Sequence, residues 1–489
     1  MKKERKGTEV NRMGTKNDFA RSFVLFVLVY AILSLLFFWI VKDDWRSTTV
    51  STDAVNRDMV SPELAEGNEI RQEFVIASDH LMSLTLYANK HPGASEESNL
   101  KVRIVTGEKE LFFSEIPYSG IGPDGIIYVP VNSITGVMKG SPATLILQAE
   151  GNLSLWFGSS RTAGKFQVNV ETSGLQMNGE PVDGELVLSQ QGVLDLPYMD
   201  YYWPVICVLF LLLAGTIIYC HFCRTHNREN LVNKGVFLIQ QYWYLLKTLV
   251  VRDFKIRYKA STLGVLWSFL NPLLMTFVYM FVFSTLFRNS IENFVVYLMS
   301  GIILFNYFSE ASNLSMQSIV GNASLITKVY MPKYIFPISK AISSGINLVI
   351  SLIPLLIMMA LTGVHFYKSL LLIPLVMIFL IVFTIGVGLI LAAIMVYFRD
   401  IQFIWGIFIT ILNFLSPIFY PESIIPARFI TLYHMNPMYQ YLFFMRTITL
   451  GGISPTPITY LYCLLASVIA LAVGLFVFRK SQSNFVLHL

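Results

Sequence analysis

The chain has 489 residues, 54% of them hydrophobic and only 14% charged, and its mean hydropathy is +0.58. Soluble domains carry roughly 25% charged residues, so this composition excludes an ordinary water-soluble fold. The net charge of +5 comes with no basic, aromatic-rich module for nucleic acid, and fits contact with anionic lipid headgroups instead.

Residues 1–21 form a basic leader holding Lys2, Lys3, Arg5, Lys6, Arg12, Lys16 and Arg21. The apolar run 22–41 follows and is long enough to span a bilayer. No small-residue cleavage site comes after Val41, where Lys42, Asp43, Asp44 and Trp45 stand, so the run reads as an uncleaved anchor. Further apolar runs occupy 201–222, 261–287, 294–319, 338–362, 370–397, 403–419 and 459–478, which predicts an α-helical polytopic membrane protein of eight spans. Basic residues crowd the leader and 224–259, whereas the segments predicted to face outside, leaving aside the large domain 42–200 to which the rule does not apply, carry only Arg288, Lys368, Arg428 and Arg446. By the bias of basic residues toward the cytoplasm, both termini are cytoplasmic.

Between the first two spans, residues 42–200 change to short alternating segments separated by Gly, Pro, Asn and Ser, the pattern of an extracytoplasmic β-sandwich of about eight strands. Alternation is clear at Met82, Leu84 and Leu86, at Val102 and Ile104, at Leu153, Leu155 and Phe157, and at Phe166, Val168 and Val170. The charged stretch 43–69 reads as its tether. All four cysteines, Cys207, Cys220, Cys223 and Cys463, lie in or beside the spans, so no disulfide framework supports this domain. Trp156, Tyr118 and Tyr128 are candidates for glycan contact, since aromatic rings meet the C–H face of a pyranose; packing in the sandwich core is the alternative for each.

After the second span (201–223), segment 224–260 contains an amphipathic helix for the cytoplasmic interface. Tyr242, Leu245, Leu246, Leu249, Val250 and Ile256 share an apolar arc, with Lys247, Arg252, Lys255 and Lys259 opposite. Asp253 and Arg257 fall inside the apolar arc four residues apart, a spacing that permits a pair. The basic face, with Arg252, Lys255 and Lys259, suits either a phosphate headgroup or simple anchoring on anionic lipid. Within the remaining six-span region, 261–489, Glu310 lies in a hydrophobic run where a carboxylate is costly. It marks either a functional membrane-embedded polar site or a hydrogen-bonded, water-facing helix side shared with Asn306, Ser309, Ser312 and Asn313. Glu422 is expected to be solvated, and Lys340 to reach toward the cytoplasm.

No phosphate loop, His-Glu-x-x-His, nucleophile elbow or metal-ligand cluster occurs, so the sequence offers no catalytic residue, no metal site and no route to ATP binding. A glycan-modifying enzyme would need such a constellation, and an exporter of smaller hydrophobic compounds is the other rival reading.

Three ordered blocks resemble the permeases of ABC-2 type polysaccharide and teichoic acid (lipid-linked glycan) exporters. The first runs from Arg252-Asp253-Phe254-Lys255-Ile256-Arg257-Tyr258-Lys259 through Ser261-Thr262-Leu263-Gly264 and Trp267 to Asn271-Pro272. The second is Asn322-Ala323-Ser324-Leu325-Ile326-Thr327-Lys328-Val329-Tyr330-Met331-Pro332-Lys333 with Pro337, and the third joins Tyr397-Phe398-Arg399-Asp400, Leu415 to Pro421 and Asn436-Pro437-Met438. The first half of the chain lies outside this resemblance, and Met331 stands where an aromatic residue is expected.

The resemblance implies a six-span permease core that forms a homodimer with two cytoplasmic ABC ATPase subunits. Those partners bind ATP and Mg; this chain needs no cofactor of its own. It further implies export of a lipid-linked polysaccharide across a bacterial inner membrane. Asn322, Leu325, Ile326, Lys328, Val329, Tyr330 and Pro332 would form the ATPase-coupling element. Trp267, Tyr279, Phe283, Phe305, Tyr307 and Phe308 are candidates for an aromatic channel lining, because ring faces contact a sliding sugar chain without one fixed hydrogen-bond register.

Overall fold

The computed structural model describes all residues except 1, 52–58, 66–67, 91–98, 108, 118–125, 135–138, 151–154, 161–171, 183–184, 187, 227–230, 260, 288–292, 329–330 and 489. The chain divides into two compact units, one made of 1–42 with 202–489 and the other of 43–201.

The second unit is two antiparallel sheets. Its strands are β1 (Ser47–Ser51), β2 (Met59–Leu64), β3 (Glu69–Val75), β4 (His80–Lys90), β5 (Asn99–Thr106), β6 (Lys109–Pro117), β7 (Ile126–Ile134), β8 (Pro142–Glu150), β9 (Leu155–Ser160), β10 (Thr172–Met177), β11 (Glu180–Pro181), β12 (Glu185–Leu186) and β13 (Leu188–Asp195). One sheet runs β1-β13-β4-β9-β12, with β7 on β4 and β2 on β9; the other runs β11-β10-β3-β8-β5-β6. Period-two alternation produces the core, with Leu100, Val102 and Ile104 of β5 and Leu145 and Leu147 of β8 fully buried.

Several expectations need correction here. The stretch 43–69 is not a free tether, because β1 pairs with β13 and β2 with β9. Met82 points outward, 50% exposed, since the register of β4 on β7 slips between Leu81 and Ser83. Such a bulge resets the alternation, so Leu81, Leu84 and Leu86 are the buried set. Phe166, Val168 and Val170 lie outside the described residues.

Two buried glutamines make the sandwich more than an oily core. Gln190 donates to Val75 O (2.8 Å) and accepts from Ala77 N (3.0 Å). Gln72 accepts from Leu186 N (3.0 Å) and donates to Glu73 O (3.0 Å). Each satisfies backbone groups that a leucine would strand.

The first unit is helical: α1 (Lys2–Val41), α2 (Tyr202–Thr225), α3 (Leu231–Tyr258), α4 (Leu266–Phe287), α5 (Phe294–Gln317), α6 (Ile335–Leu361), α7 (Ile373–Tyr397), α8 (Ile401–Leu415), α9 (Ala427–His434), α10 (Pro437–Thr449) and α11 (Pro457–Ser481). Among the described residues seven helices are long and apolar enough to cross a membrane, and α8 is a shorter apolar helix. Its 15 residues reach about 22 Å, short of the roughly 30 Å hydrocarbon core, so the expected span over 403–419 does not form as one full-length helix. The chain instead turns at Ser416–Pro421 and adds the short helices α9 and α10.

α1 and α2 pack as a pair: Tyr30 Oη donates to Ile206 O (2.7 Å) and Tyr202 Oη to Ser34 O (2.6 Å). α5 is the most enclosed span, with Leu298, Met299, Leu304 and Ala311 fully buried. α7 and α11 cross at backbone contact. A Cβ added to Gly386 would fall 2.3 Å from the carbonyl carbon of Ala470, and one on Gly474 2.3 Å from Gly386 O. Small residues at such crossings let dispersion replace the hydrophobic effect that lipid cannot supply. Gly386→Val should therefore abolish the monodisperse peak of the detergent-extracted protein on size exclusion. Gly345→Ala, whose Cβ would sit an ordinary 3.4 Å from Ile381, should preserve it; equal behaviour of the two variants would refute the crossing.

Candidate functional site: a polar ladder beside the amphipathic helix

α6 carries Lys340, Ser344, Asn347 and Ser351 at i, i+4, i+7 and i+11, one helical stripe. Each member finds a partner on a neighbouring helix. Lys340 Nζ lies 3.1 Å from Asp253 Oδ2, and Arg252 donates from Nη2 to Asp253 Oδ1 at 2.9 Å. Arg257 is ion-paired with Glu310 of α5, and Ser344 Oγ donates to the same Glu310 oxygen at 3.0 Å. Tyr258 Oη donates to Asn347 Oδ1 (2.9 Å) and contacts Ser268, whose Oγ also reaches Asn347 Oδ1 (3.2 Å). At the far end Ser351 Oγ donates to Ser268 O at 3.2 Å.

That last bond has a covalent cause. Pro272 stands inside α4, and a proline has no N–H to give the carbonyl four residues earlier. Ser268 O is that carbonyl, and Ser351 Oγ reaches it while sharing its one proton with Asn347 O of its own helix at 2.9 Å. The Asn271-Pro272 pair thus fixes where α4 meets α6. The turn into α4 depends on Gly264, which adopts φ +52° while its N–H donates to Ser261 Oγ (3.1 Å), a conformation that favours glycine.

The ladder corrects the expected pairing of Asp253 with Arg257. Asp253 and Arg257 lie on the same arc of α3, but Asp253 takes Arg252 and Lys340, and Arg257 reaches across to Glu310. Lys340 is held by that carboxylate and does not simply extend to an aqueous surface. On α3, Leu249 and Val250 are buried and Tyr242, Leu245 and Leu246 partly so, whereas Ile256 is 61% exposed, outside the arc assigned to it. Of the three basic headgroup candidates, Arg252 spends its donors on Asp253, while Lys255 and Lys259 are exposed.

Beside the ladder lies a cavity of about 540 Å³ between α3, α4, α5 and α6. Trp267 and Tyr307 line it; Trp267 is half exposed, and Tyr307 is buried with its hydroxyl on Ala341 O (3.3 Å). The other channel candidates divide. Tyr279 and Phe283 meet Phe419, with centroids at 4.6 and 5.3 Å. Phe305 and Phe308 are buried within the protomer, Phe308 against Phe383 and Trp405, so their faces are already covered.

Between α5 and α6, Ala323–Ile326 makes one helical turn. Ile326 is buried and Leu325 partly buried in the cluster formed by Ile319, Ile335, Phe336, Leu389, Phe478 and Phe485. Ile326 therefore anchors this segment inward and is not on an outward docking face. The outward set is Gly321, Ser324, Thr327 and Lys328, with Asn322 donating to Ser318 O (2.7 Å). Pro332 is half-buried, and Val329 and Tyr330 lie outside the described residues. Lys333 donates to Gln482 O (2.7 Å) and lies over the Phe485 ring at 5.6 Å; burial lowers its pKa.

At the other end of the helices, Arg446 pins the turn after α8. It donates to Pro417 O (2.7 Å) and Ile418 O (3.1 Å) and lies 3.5 Å above the Tyr297 ring. Tyr297 Oη in turn donates to Tyr420 O (2.7 Å). Asn436 caps α10, accepting from Met438 N, and donates to Ser416 Oγ, both at 3.0 Å. Glu422 is not merely solvated: His434 Nε2 is 2.8 Å away and Tyr439 donates to it.

In the sandwich, Tyr128 is 56% exposed on β7, opposite Thr85 of β4. Trp156 lies on β9 opposite Asn89 and Glu63. Tyr118 falls outside the described residues.

A bundle of apolar helices with a polar ladder inside it and short, pinned helices at one end suits a multi-pass membrane protein. The ABC-2 type transporter family pattern matches residues 244–450. The chain is 30% identical over 247 residues to the O-antigen export system permease protein RfbA of Klebsiella pneumoniae, covering 50% of this chain and 95% of that protein. The protein of the same name from Myxococcus xanthus is 36% identical over 203 residues, covering 41% and 78%. The polysialic acid transport protein KpsM of Escherichia coli is 24% identical over 240, covering 48% and 93%. This chain belongs to the ABC-2 type polysaccharide exporter family, as a multi-pass permease with a sandwich unit added to the matched half.

Removing one member of the ladder's central ion pair should cost more than exchanging both. Glu310→Gln leaves Arg257 without its carboxylate and should cost about 1 kcal/mol, the half-exposed position screening the remainder. The exchange Arg257→Glu with Glu310→Arg should restore most of it. Thermal unfolding of the detergent-solubilised chain reads both, and an unchanged midpoint for Glu310→Gln would refute the pairing.

Proposed function

We propose that the chain is the transmembrane subunit of an ATP-driven exporter that carries a lipid-linked surface polysaccharide, of the O-antigen or teichoic-acid kind, out through the inner membrane. The observation that carries this reading is the ladder that fixes α3 to α5 and α6 and leaves Lys255 and Lys259 exposed at its polar face. A phosphate or pyrophosphate headgroup in the cytoplasmic interface meets two ammonium groups there, next to the cavity flanked by α4. The sugar chain follows the lipid end along aromatic faces.

Two copies form the passage. α4 presents Leu274, Phe277, Val278, Phe281 and Val282 at helical spacing, with Phe281 85% exposed, and α8 presents Phe403, Ile407, Ile411 and Phe414. A second copy covers these stripes, and Tyr279, Phe283 and Trp267 border the passage between them. Each copy docks a separate ATPase on Ser324, Thr327 and Lys328. Inward anchoring of Ile326 gives this segment the stiffness to pass on ATPase closure. The sandwich unit, outside the cytoplasm, grips the emerging polymer with Tyr128 and Trp156.

Lys255→Glu with Lys259→Glu should abolish surface polymer while leaving dimer assembly and ATPase docking intact; undiminished polymer on the cells would end the headgroup assignment. Separately, Ser324→Trp places a bulky ring on the outward face of the coupling turn. Its expected effect is loss of the ATPase on co-purification with no change in the permease elution profile, and retention at normal stoichiometry would move the docking face elsewhere.

A further inference from the structure

The cavity beside the ladder has a chemistry of its own. Its one cation, Arg257, is already neutralised by Glu310, so the site offers an anion no unspent charge. Asn271 and Asn306 are exposed at its wall, and neither amide has a side-chain partner among the described residues. Each amide both donates and accepts, the pattern that hydroxyl groups require. The rest of the wall combines ladder groups already bonded to one another, Ser268, Ser344 and Asn347 among them, with the apolar Ile303, Leu348 and the half-exposed Trp267. A volume of about 540 Å³ falls among the roughly 300–1,000 Å³ of small-molecule sites.

We propose that this cavity is a subsite for an uncharged pyranose unit of the exported glycan, held by Asn271 and Asn306 at its hydroxyls and by Trp267 at its C–H face. It is separate from the headgroup contacts at Lys255 and Lys259, and rests on the polysaccharide reading above. A phosphate belongs at the exposed lysines, where charge is available; a neutral ring belongs in the cavity, where paired charges leave only dipoles. The ladder gives the subsite its rigidity, because Tyr258, Ser268 and Asn347 fix three of its walls to one another.

The test is photo-crosslinking in polymer-producing cells, with the full chain, its ATPase arrested, and polymer labelled with tritiated hexose. p-Benzoylphenylalanine replaces Asn271 or Asn306, and, as an outward-facing control, Leu361, which is 75% exposed at the end of α6. The expected result is a glycan-bearing adduct at both cavity positions at least tenfold above the control. Trp267→Ala should reduce capture about tenfold and Trp267→Phe should restore it, a rescue that a merely structural role for the indole would not produce. Phospholipid alone at both cavity positions, or equal glycan capture at Leu361, overturns the subsite. Glycan captured from Tyr279 but not from Asn271 or Asn306 overturns the subsite and leaves the export reading standing. Full surface polymer in cells lacking this chain overturns the export reading itself.

Discussion

A backbone carbonyl that loses its helical donor inside a bilayer has no water to turn to. Pro272 creates one such carbonyl at Ser268, and Ser351 satisfies it. That bond ties α4 to α6. It fixes the register of α4 on α6; with that register set, Asn347 lies where Tyr258 and Ser268 both reach it, and Ser344 lies beside Glu310. The two charged pairs close the stripe toward the amphipathic helix. Each rung of this ladder is individually weak, and Glu310 stays about half exposed beside the cavity.

The gross plan was legible in the sequence because it rests on local rules. Apolar run length placed α1, α2 and α4 to α7, and alternation placed β5. The amphipathic arc of α3 was readable as far as Val250. Failures occurred where a distant partner overrode a local pattern. Asp253 and Arg257 have the spacing of an intrahelical pair, yet Lys340 and Glu310, far along the chain, offer each a better one. Their signal was present in the i, i+4, i+7, i+11 stripe of Lys340, Ser344, Asn347 and Ser351, which a hydrophobicity reading passes over because hydroxyls and amides weigh little. Met82 was misassigned because one bulge inverts every residue beyond it.

The coupling segment shows the same limit. Leu325 and Ile326 look like a docking face by composition, since apolar residues in a short loop call for a partner. The partner of Ile326 is the chain's own cluster around Phe336 and Phe485, which no local pattern could reveal. The result is a segment whose outward face is small and polar. Its position is set by inward packing and by Lys333 on Gln482 O and Phe485, so a push from outside meets a supported surface.

The glycine crossing of α7 and α11 and the polar seam of α4 on α6 hold the bundle together by different means. With Gly386, Ala470 and Gly474 in backbone contact, neither helix can slide without its carbonyls climbing over the other. α4, continuous through its internal Pro272 and exposed along much of one face, is held to α6 by hydroxyl and amide bonds. The two seams therefore fail in different ways: the crossing of α7 and α11 is broken by one added methyl group, whereas the seam of α4 on α6 is broken by the loss of a hydrogen-bonding group.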